Sequence, residues 1–414
     1  QTLEYYAALA TNGGLAGKIR DVQNERSSLA FTRREPLGVC VGIGGWNYPL
    51  VTLTWKLAPA LCMGNSMIYK PSECTPLTTW YLATKIWNDD DDDHVGSLLP
   101  PGVFQVLLGG GTTAEQLVSH SLVDKVSLTG STDTGIRVAQ QAAQTLKRTT
   151  LELGGKSPLL IFDDYRTHLE SAVRIAMEAN FINNGQVCSN ATRVFVERSL
   201  LQEFLDALVK RLGSSSSLSS KGTRSGTVVM GNNLDPATNM GPVMMHPTQP
   251  SRHYDRIMGL LQQAKQDPFI QVVYGGNGYH SAEDGGYYVE PTVLLANSDS
   301  SEIVQAEVFG PVMTVLPFDT EEEAVHRANH ASPYGLAAGV LTRDLTRAHR
   351  LVKKLEAGTV WVNNWNVSPV EMPFGPYKMS GYGQELGEEA LEHFSKTKMV
   401  YMEMEDVKEG DTFF

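Results

Sequence analysis

Short apolar runs alternate with stretches of helical periodicity along most of this 414-residue chain. That alternation restricts what it can fold into more than any other feature. Leu37 to Gly42 reads as a strand, Leu50 to Cys62 as a helix entered through Trp46-Asn47-Tyr48-Pro49, and Ser66 to Lys70 as a second strand. Thr75 to Ile86 follows as a helix, Gly102 to Leu107 as a strand and Thr112 to His120 as a short helix. Lys125 to Leu128 is a strand, and after a glycine turn a helix runs from Asp133 to Thr145. Strands this apolar bury both faces, so helices must cover a parallel sheet on its two sides. A second alternating region, from Leu159 to about Gly358, carries strands at Ser157 to Phe162, Arg193 to Val196, Val312 to Phe318 and Ala338 to Leu341. We therefore expect an α/β chain: a doubly wound, Rossmann-like domain followed by a second α/β domain.

Outside these regions the patterns change. Lys18 to Glu35 is polar and alternating, which suits an exposed hairpin. Asp89 to Asp93 is an acidic run and Ser214 to Ser220 is serine-rich; like charges repel and serines bury little, so both read as surface loops. The net charge of −12 leaves no basic patch to neutralise phosphates, which excludes a nucleic-acid partner. No apolar run approaches the roughly 20 residues needed to span a bilayer. Cys40, Cys62, Cys74 and Cys188 form no C-x-x-C pair and have no His at ligand spacing, so we expect free thiols in a reducing, cytoplasmic setting, without zinc or disulfides. Cys40 and Cys62 sit in apolar runs and read as core. The chain opens at Gln1 inside a helix-like pattern, so we expect a longer N-terminal portion to precede it, which leaves organellar targeting open.

The chemistry concentrates in two glycine-rich turns. Gly185-Gln186-Val187-Cys188-Ser189-Asn190-Ala191-Thr192-Arg193 presents one Cys after a glycine, and Glu152-Leu153-Gly154-Gly155-Lys156 presents one Glu before two more. A thiolate attacks carbonyl carbon and a carboxylate activates water, so the pair suits reaction through a thioester. Lys70-Pro71-Ser72-Glu73 closes a strand, where ligands sit in a doubly wound sheet; alone it would read as a surface pair. Thr129-Gly130-Ser131-Thr132-Asp133-Thr134-Gly135 opens a helix whose N–H groups and dipole favour a pyrophosphate, although simple helix capping would also explain it. Gly44-Gly45-Trp46-Asn47-Tyr48-Pro49 supplies an amide that can hold an oxyanion, or merely a turn before a helix.

Together these motifs resemble the NAD(P)-dependent aldehyde dehydrogenase superfamily. Glu307-Val308-Phe309-Gly310-Pro311 is similar to the family's E-x-F-G-P, and Pro373 to Gly381 to its P-F-G-G-x-K-x-S-G, so the likeness extends over essentially the whole chain. The resemblance implies Cys188 as nucleophile, Glu152 as water activator, and Asn47 with the Cys188 N–H as oxyanion hole. It implies NAD as cofactor, held by Trp46, Lys70, Ser72, Glu73, Gly111, Gly130, Ser131, Gly135, Leu153, Glu307 and Phe309, with Glu73 repelling a 2′-phosphate. Tyr48, Trp55 and Trp365 match aromatic positions of the betaine-aldehyde and 4-trimethylaminobutyraldehyde branch, whose faces attract quaternary ammonium groups; core packing is the alternative. The family's members pair into dimers or tetramers through strands such as Lys18 to Glu35 and Thr397 to Glu403.

The resulting layout is a remnant cofactor-domain helix in 1–16, an oligomerisation hairpin in 17–35 and an NAD-binding domain in 36–153. A catalytic domain in 154–382 and a C-terminal helix, oligomerisation strand and tail in 383–414 complete it. Gly45 replaces the family's Pro before the Trp, Leu128 its aromatic, Pro376 a Gly and Gln384 an Arg; none is a reacting group. A catalytically impaired scaffold of the same fold and a cofactor-free cysteine hydrolase are the competing readings. The hydrolase needs a His beside the thiol, and between Glu152 and Cys188 only His168 is available.

Overall fold

The computed structural model describes residues 1–12, 17–20, 28–87, 99–213 and 228–403. The Asp89–Asp93 and Ser214–Ser220 segments and the tail after residue 403 lie outside the described residues. Three main sheets organise the chain.

The first sheet has six strands, in the order Gly381–Tyr382, Arg148–Glu152, Lys125–Thr129, Val39–Ile43, Ser66–Lys70 and Phe104–Val106. All neighbours run parallel except Gly381–Tyr382, which pairs antiparallel with Glu152 and Leu151. Successive side chains leave opposite faces. Cys40, Met67 and Tyr69 pack on one side against Leu53 and Leu57 of the helix Pro49–Cys62. Val41, Val126 and Leu128 pack on the other against Leu117, Val118 and Val138 from the helices Gly111–Ser119 and Thr132–Ala143. Pro49 opens its helix at the first position, where a missing N–H costs nothing. The expected helix from Thr75 to Ile86 is divided into an α segment, Leu77–Tyr81, and a π-helical one, Leu82–Trp87.

The second sheet has seven strands, in the order Ile270–Tyr274, Thr292–Ala296, Val312–Phe318, Arg193–Glu197, Pro158–Ile161, Ala337–Leu341 and Thr359–Val362. Its two faces are buried separately. Leu159, Ile161, Val194 and Val196 meet the helices Leu169–Phe181 and Leu201–Leu212, while Leu160, Phe195 and Leu294 meet Arg252–Gln266, Glu321–His330 and Leu345–Lys354.

The third sheet is small. Ile19–Arg20 pairs with Ser28–Pro36, which runs antiparallel to Ser395–Glu403 over nine residue pairs, from Ser28 with Glu403 to Pro36 with Ser395. Ser395–Glu403 is a terminal strand of that sheet. Cys40, Cys62, Cys74 and Cys188 are all free thiols, Cys40 fully buried and the others half-buried.

Candidate active site

The helix Leu169–Phe181 ends in a turn that the chain enters under strain. Asn183 (φ 50°), Asn184 (φ 55°) and Gly185 (φ 74°) are consecutive residues in the left-handed region. Such a run persists only where its surroundings over-determine it. Here the asparagine side chains do so: Asn184 Nδ2 donates to the carbonyls of Gly241 and Pro242, at 2.9 Å each, and Asn183 Nδ2 to the carbonyl of Asn47 at 3.2 Å. A Cβ on Gly185 would lie 2.1 Å from the Gly310 carbonyl oxygen. The turn is therefore closed against the Glu307–Pro311 motif and the Gly241–Pro242 segment, and it delivers Cys188 ahead of the strand Arg193–Glu197.

Other motifs converge on that thiol. Asn47 Nδ2 donates to the Gln186 carbonyl at 3.0 Å, which holds its amide against the Cys188 turn. Gly155 touches the same turn from the other side; a Cβ there would meet the Cys188 carbonyl oxygen at 2.3 Å. Ser189 Oγ donates to Asn366 Oδ1 at 3.2 Å, bringing in the Asn363–Asn366 stretch. Burial pushes the Cys188 thiol up to about 12, with Glu307 and Glu152 adding to the rise. The N–H groups of Ser189 and Cys188 face the sulfur and act in the opposite sense.

Glu152 ends its strand at 4% exposure, and neither carboxylate oxygen has a hydrogen-bond partner. Desolvation and the nearby Glu385 hold its pKa well above the ordinary value, against the pull of Lys56. Lys56 Nζ donates to Glu385 Oε1 at 2.6 Å in a fully buried pair that also takes a hydrogen bond from Ser127 Oγ. Glu152 thus stands beside a buried ion pair, in surroundings that disfavour its charged form. The Glu152–Lys156 turn is pinned by the C-terminal motif: Leu153 N donates to the Ser380 carbonyl (2.9 Å) and Ser380 Oγ to the Gly154 carbonyl (2.7 Å).

Glu307 crosses to the same turn, accepting the Gly155 N–H at 3.1 Å. Burial pushes its carboxyl up to about 7, although the Gly155 N–H, Arg256 and Lys156 oppose this. Lys156 is 1% exposed with an unpartnered Nζ, and burial lowers it to about 7. Beyond Glu307, Phe309 and Trp46 meet edge to face at 5.3 Å, with His253 5.5 Å from Trp46.

The remaining expected residues line the carboxyl ends of the first sheet. Lys70 Nζ donates to the Pro71 carbonyl and stands 3.6 Å from Glu73. Ser72 Oγ accepts from Cys74 N at 3.3 Å. Gly130 N bonds the Glu152 carbonyl, and Ser131 Oγ caps its helix by accepting from Thr134 N. Gly135 allows that helix to approach Leu153, whose Cδ2 a Cβ would meet at 2.4 Å. Gly111 opens the neighbouring helix with nothing within 4 Å of a Cβ position.

Of the three expected substrate aromatics, Tyr48 faces Cys188, which adds to the upward push that burial gives its phenol. Trp55 is half-buried and stacks obliquely on Phe374 at 5.3 Å. Trp365 is 2% exposed, 4.8 Å from Trp361 and pressed onto Gly339, so it presents the least open face. The sequence reasoning missed Lys56, Glu385, Asn183, Asn184 and His253. For Lys56 a signal existed: it is a lone cation between Leu53 and Leu57 in an apolar helix.

This arrangement agrees with three comparisons. The model of the aldehyde dehydrogenase family matches residues 1–400. 4-Trimethylaminobutyraldehyde dehydrogenase from Homo sapiens is 44% identical over 411 residues, 99% of this chain and 76% of that one. A form A of the same enzyme from Danio rerio is 45% identical over 99% of this chain and 74% of its own length. The NAD+ complex of an aldehyde dehydrogenase from Bacillus cereus superposes with a TM-score of 0.86 at 37% identity, over 98% of this chain and 75% of that one. A thiol, a buried carboxyl and a side-chain amide gathered on glycine turns, in a fold and sequence shared at this level, admit one assignment: the chain belongs to the aldehyde dehydrogenase family.

Proposed function

We propose that the chain oxidises a cationic aldehyde, bearing an amino or trimethylammonium group, to its carboxylic acid with NAD. The observation that carries the chemistry is the Gly155 contact, which joins the Cys188 turn to the Glu152 turn. The assignment rests on steady-state NADH formation over a panel of aldehydes with NAD and NADP compared; no NADH from any aldehyde would leave a scaffold.

The residues fit the cofactor. The capped helix at Ser131 and the open Gly111 leave donor N–H groups free for a pyrophosphate, and the Trp46–Phe309 corner suits a flat ring. Lys70 and Glu73 stand where an adenosine ribose would end. NAD, when bound, supplies the acceptor for the hydride that leaves the substrate carbon. The protein's own part is covalent. Cys188, its thiol proton having passed to solvent, adds through sulfur to the aldehyde carbon as the C=O π bond opens, and the oxyanion of the resulting thiohemiacetal takes N–H bonds from Asn47 and from Cys188 itself. Once oxidised, that carbon is a thioester. Glu152, having lost its proton, removes one from water, whose oxygen attacks the thioester and releases Cys188.

The cationic preference is supported by the aromatic face of Tyr48 beside Cys188, by Trp55, which packs against the same core cluster as Cys188, and by the names of the relatives. A desolvated cation–π contact is worth about 2 kcal/mol, or roughly thirtyfold in specificity. Trp55→Ala should therefore lower kcat/KM for betaine aldehyde or 4-trimethylaminobutyraldehyde by about that factor while sparing hexanal and benzaldehyde. Equal losses for charged and neutral aldehydes would reduce Trp55 to packing.

A homo-oligomer, dimer or tetramer, belongs to the same reading. The terminal strand Ser395–Glu403 leaves Met399 69% and Met402 47% exposed, and an open strand edge recruits another chain. Light scattering at micromolar concentration should give at least a dimer, and Met399→Glu should shift it toward monomer. A monomer in the unaltered protein would sink the idea. Among the described residues no helix is long and apolar enough to cross a membrane, and the free thiols suit the reducing cytoplasm, where we place the protein.

A further inference from the structure

We propose that His246 is a specificity-determining residue of the cofactor site: with Lys70 it forms a pocket of two N–H donors that accepts the 2′-phosphate of NADP once the Glu73 carboxylate is neutralised or turned away. The inference rests on the reading of Lys70 and Glu73 as the adenosine-ribose subsite. Glu73 stands between two nitrogen-bearing side chains, one facing each oxygen. Lys70 Nζ lies 3.6 Å from Oε2, and His246 Nε2 lies 3.7 Å from Oε1. Gly110, which precedes the helix Gly111–Ser119, faces the same oxygen, with a Cβ position 3.9 Å from Oε1.

The imidazole is oriented. Thr248 N–H points at His246 Nδ1 from 3.3 Å, so Nδ1 accepts and the ring proton sits on Nε2, the nitrogen that faces Glu73. The segment is fixed from behind, because Met244 N donates to Gln186 Oε1 at 2.8 Å and Pro242 accepts from Asn184. His246 is therefore tied to the nucleophile turn rather than carried on a free surface.

Exposure separates the three groups. The Lys70 side chain is 5% exposed and that of His246 22%, against 41% for Glu73. The carboxylate can turn to solvent while the two donors stay. A dianionic phosphate placed where the carboxylate now sits would meet an ammonium and an imidazole N–H from opposite sides. Two charge-assisted donors are what an anion of that size requires. With Glu73 in place the same pocket is satisfied internally, and its negative charge repels the phosphate. Nicotinamide dinucleotides with and without a 2′-phosphate are thus separated by one residue acting against two.

Binding of NADP and of adenosine 2′,5′-bisphosphate to the full chain, followed by quenching of intrinsic fluorescence, tests this without turnover. Glu73→Gln should tighten both by about tenfold, the ratio one hydrogen bond to a charged group supplies. Glu73→Gln/His246→Ala should lose that gain, and Glu73→Gln/His246→Lys, which returns an N–H donor to the position, should keep it. A gain undiminished in the Ala double variant overturns the role of His246. If Glu73→Gln alters the binding of neither NAD nor NADP, the ribose subsite is elsewhere, and the cofactor reading beneath the proposal fails with it.

Discussion

Cys188→Ser is expected to lower steady-state NADH formation by about three orders of magnitude or more, with NAD affinity unchanged, since the proposed nucleophile is lost and the binding surface is not. The native thiol is itself held back: burial, Glu307 and Glu152 push it up to about 12. A serine hydroxyl starts from a far higher value in the same surroundings, so its alkoxide fraction is negligible. The same argument fixes the response of the unmodified protein to pH. Below its pKa a thiolate population rises tenfold per unit, so iodoacetamide labelling of Cys188, read by mass spectrometry, should accelerate by about that factor per unit from pH 7 upward. Labelling that is already fast and flat at pH 7 would mean a preformed thiolate. A serine variant with near-native turnover would remove Cys188 from the chemistry altogether.

Much of the fold was legible because its strands are buried on both faces. Ser66–Lys70 and Val312–Phe318 stand where their apolar runs place them, and Val39–Ile43 departs from expectation only at its ends. Elements that take their stability from distant partners were not. Gly381–Tyr382 has two residues and no period of its own, yet it completes the edge of the first sheet beside Glu152. Ile270–Tyr274, Thr292–Ala296 and Thr359–Val362 extend the second sheet and were not anticipated. The site divides in the same way. Glycine-punctuated turns announce Cys188 and Glu152, because close approach of backbone demands glycine there: Gly155 against Cys188, Gly185 against Gly310. The Lys56–Glu385 pair joins residues 329 apart in sequence, which no local pattern encodes. The strain at Asn183 and Asn184 hid behind residues that also suit an ordinary turn. Trp365 carries a packing role against Gly339 that an aromatic letter alone does not reveal.

Glu152→Gln is expected to stall the enzyme after a single turnover, leaving the acyl group on Cys188. The amide keeps the shape and removes the base. Addition of sulfur to the aldehyde and loss of hydride need no proton acceptor at that position, so one equivalent of NADH per active site should still appear in a burst. The steady rate after the burst should fall by about a hundredfold to ten-thousandfold, the range general-base catalysis contributes. The structure adds a pH signature. Desolvation and Glu385 raise the Glu152 pKa well above the ordinary carboxyl value. The base form is therefore scarce at low pH and grows as pH rises, so deacylation in the unaltered protein should speed up with pH while the burst amplitude stays constant. The variant should lose that dependence. Mass spectrometry of the stalled protein should show the added acyl mass on the peptide containing Cys188. Loss of burst and steady rate in equal measure would assign Glu152 to the first step instead, as a partner in generating the thiolate. The raised thiol and the raised carboxyl would then be one proton-transfer pair and not two successive devices.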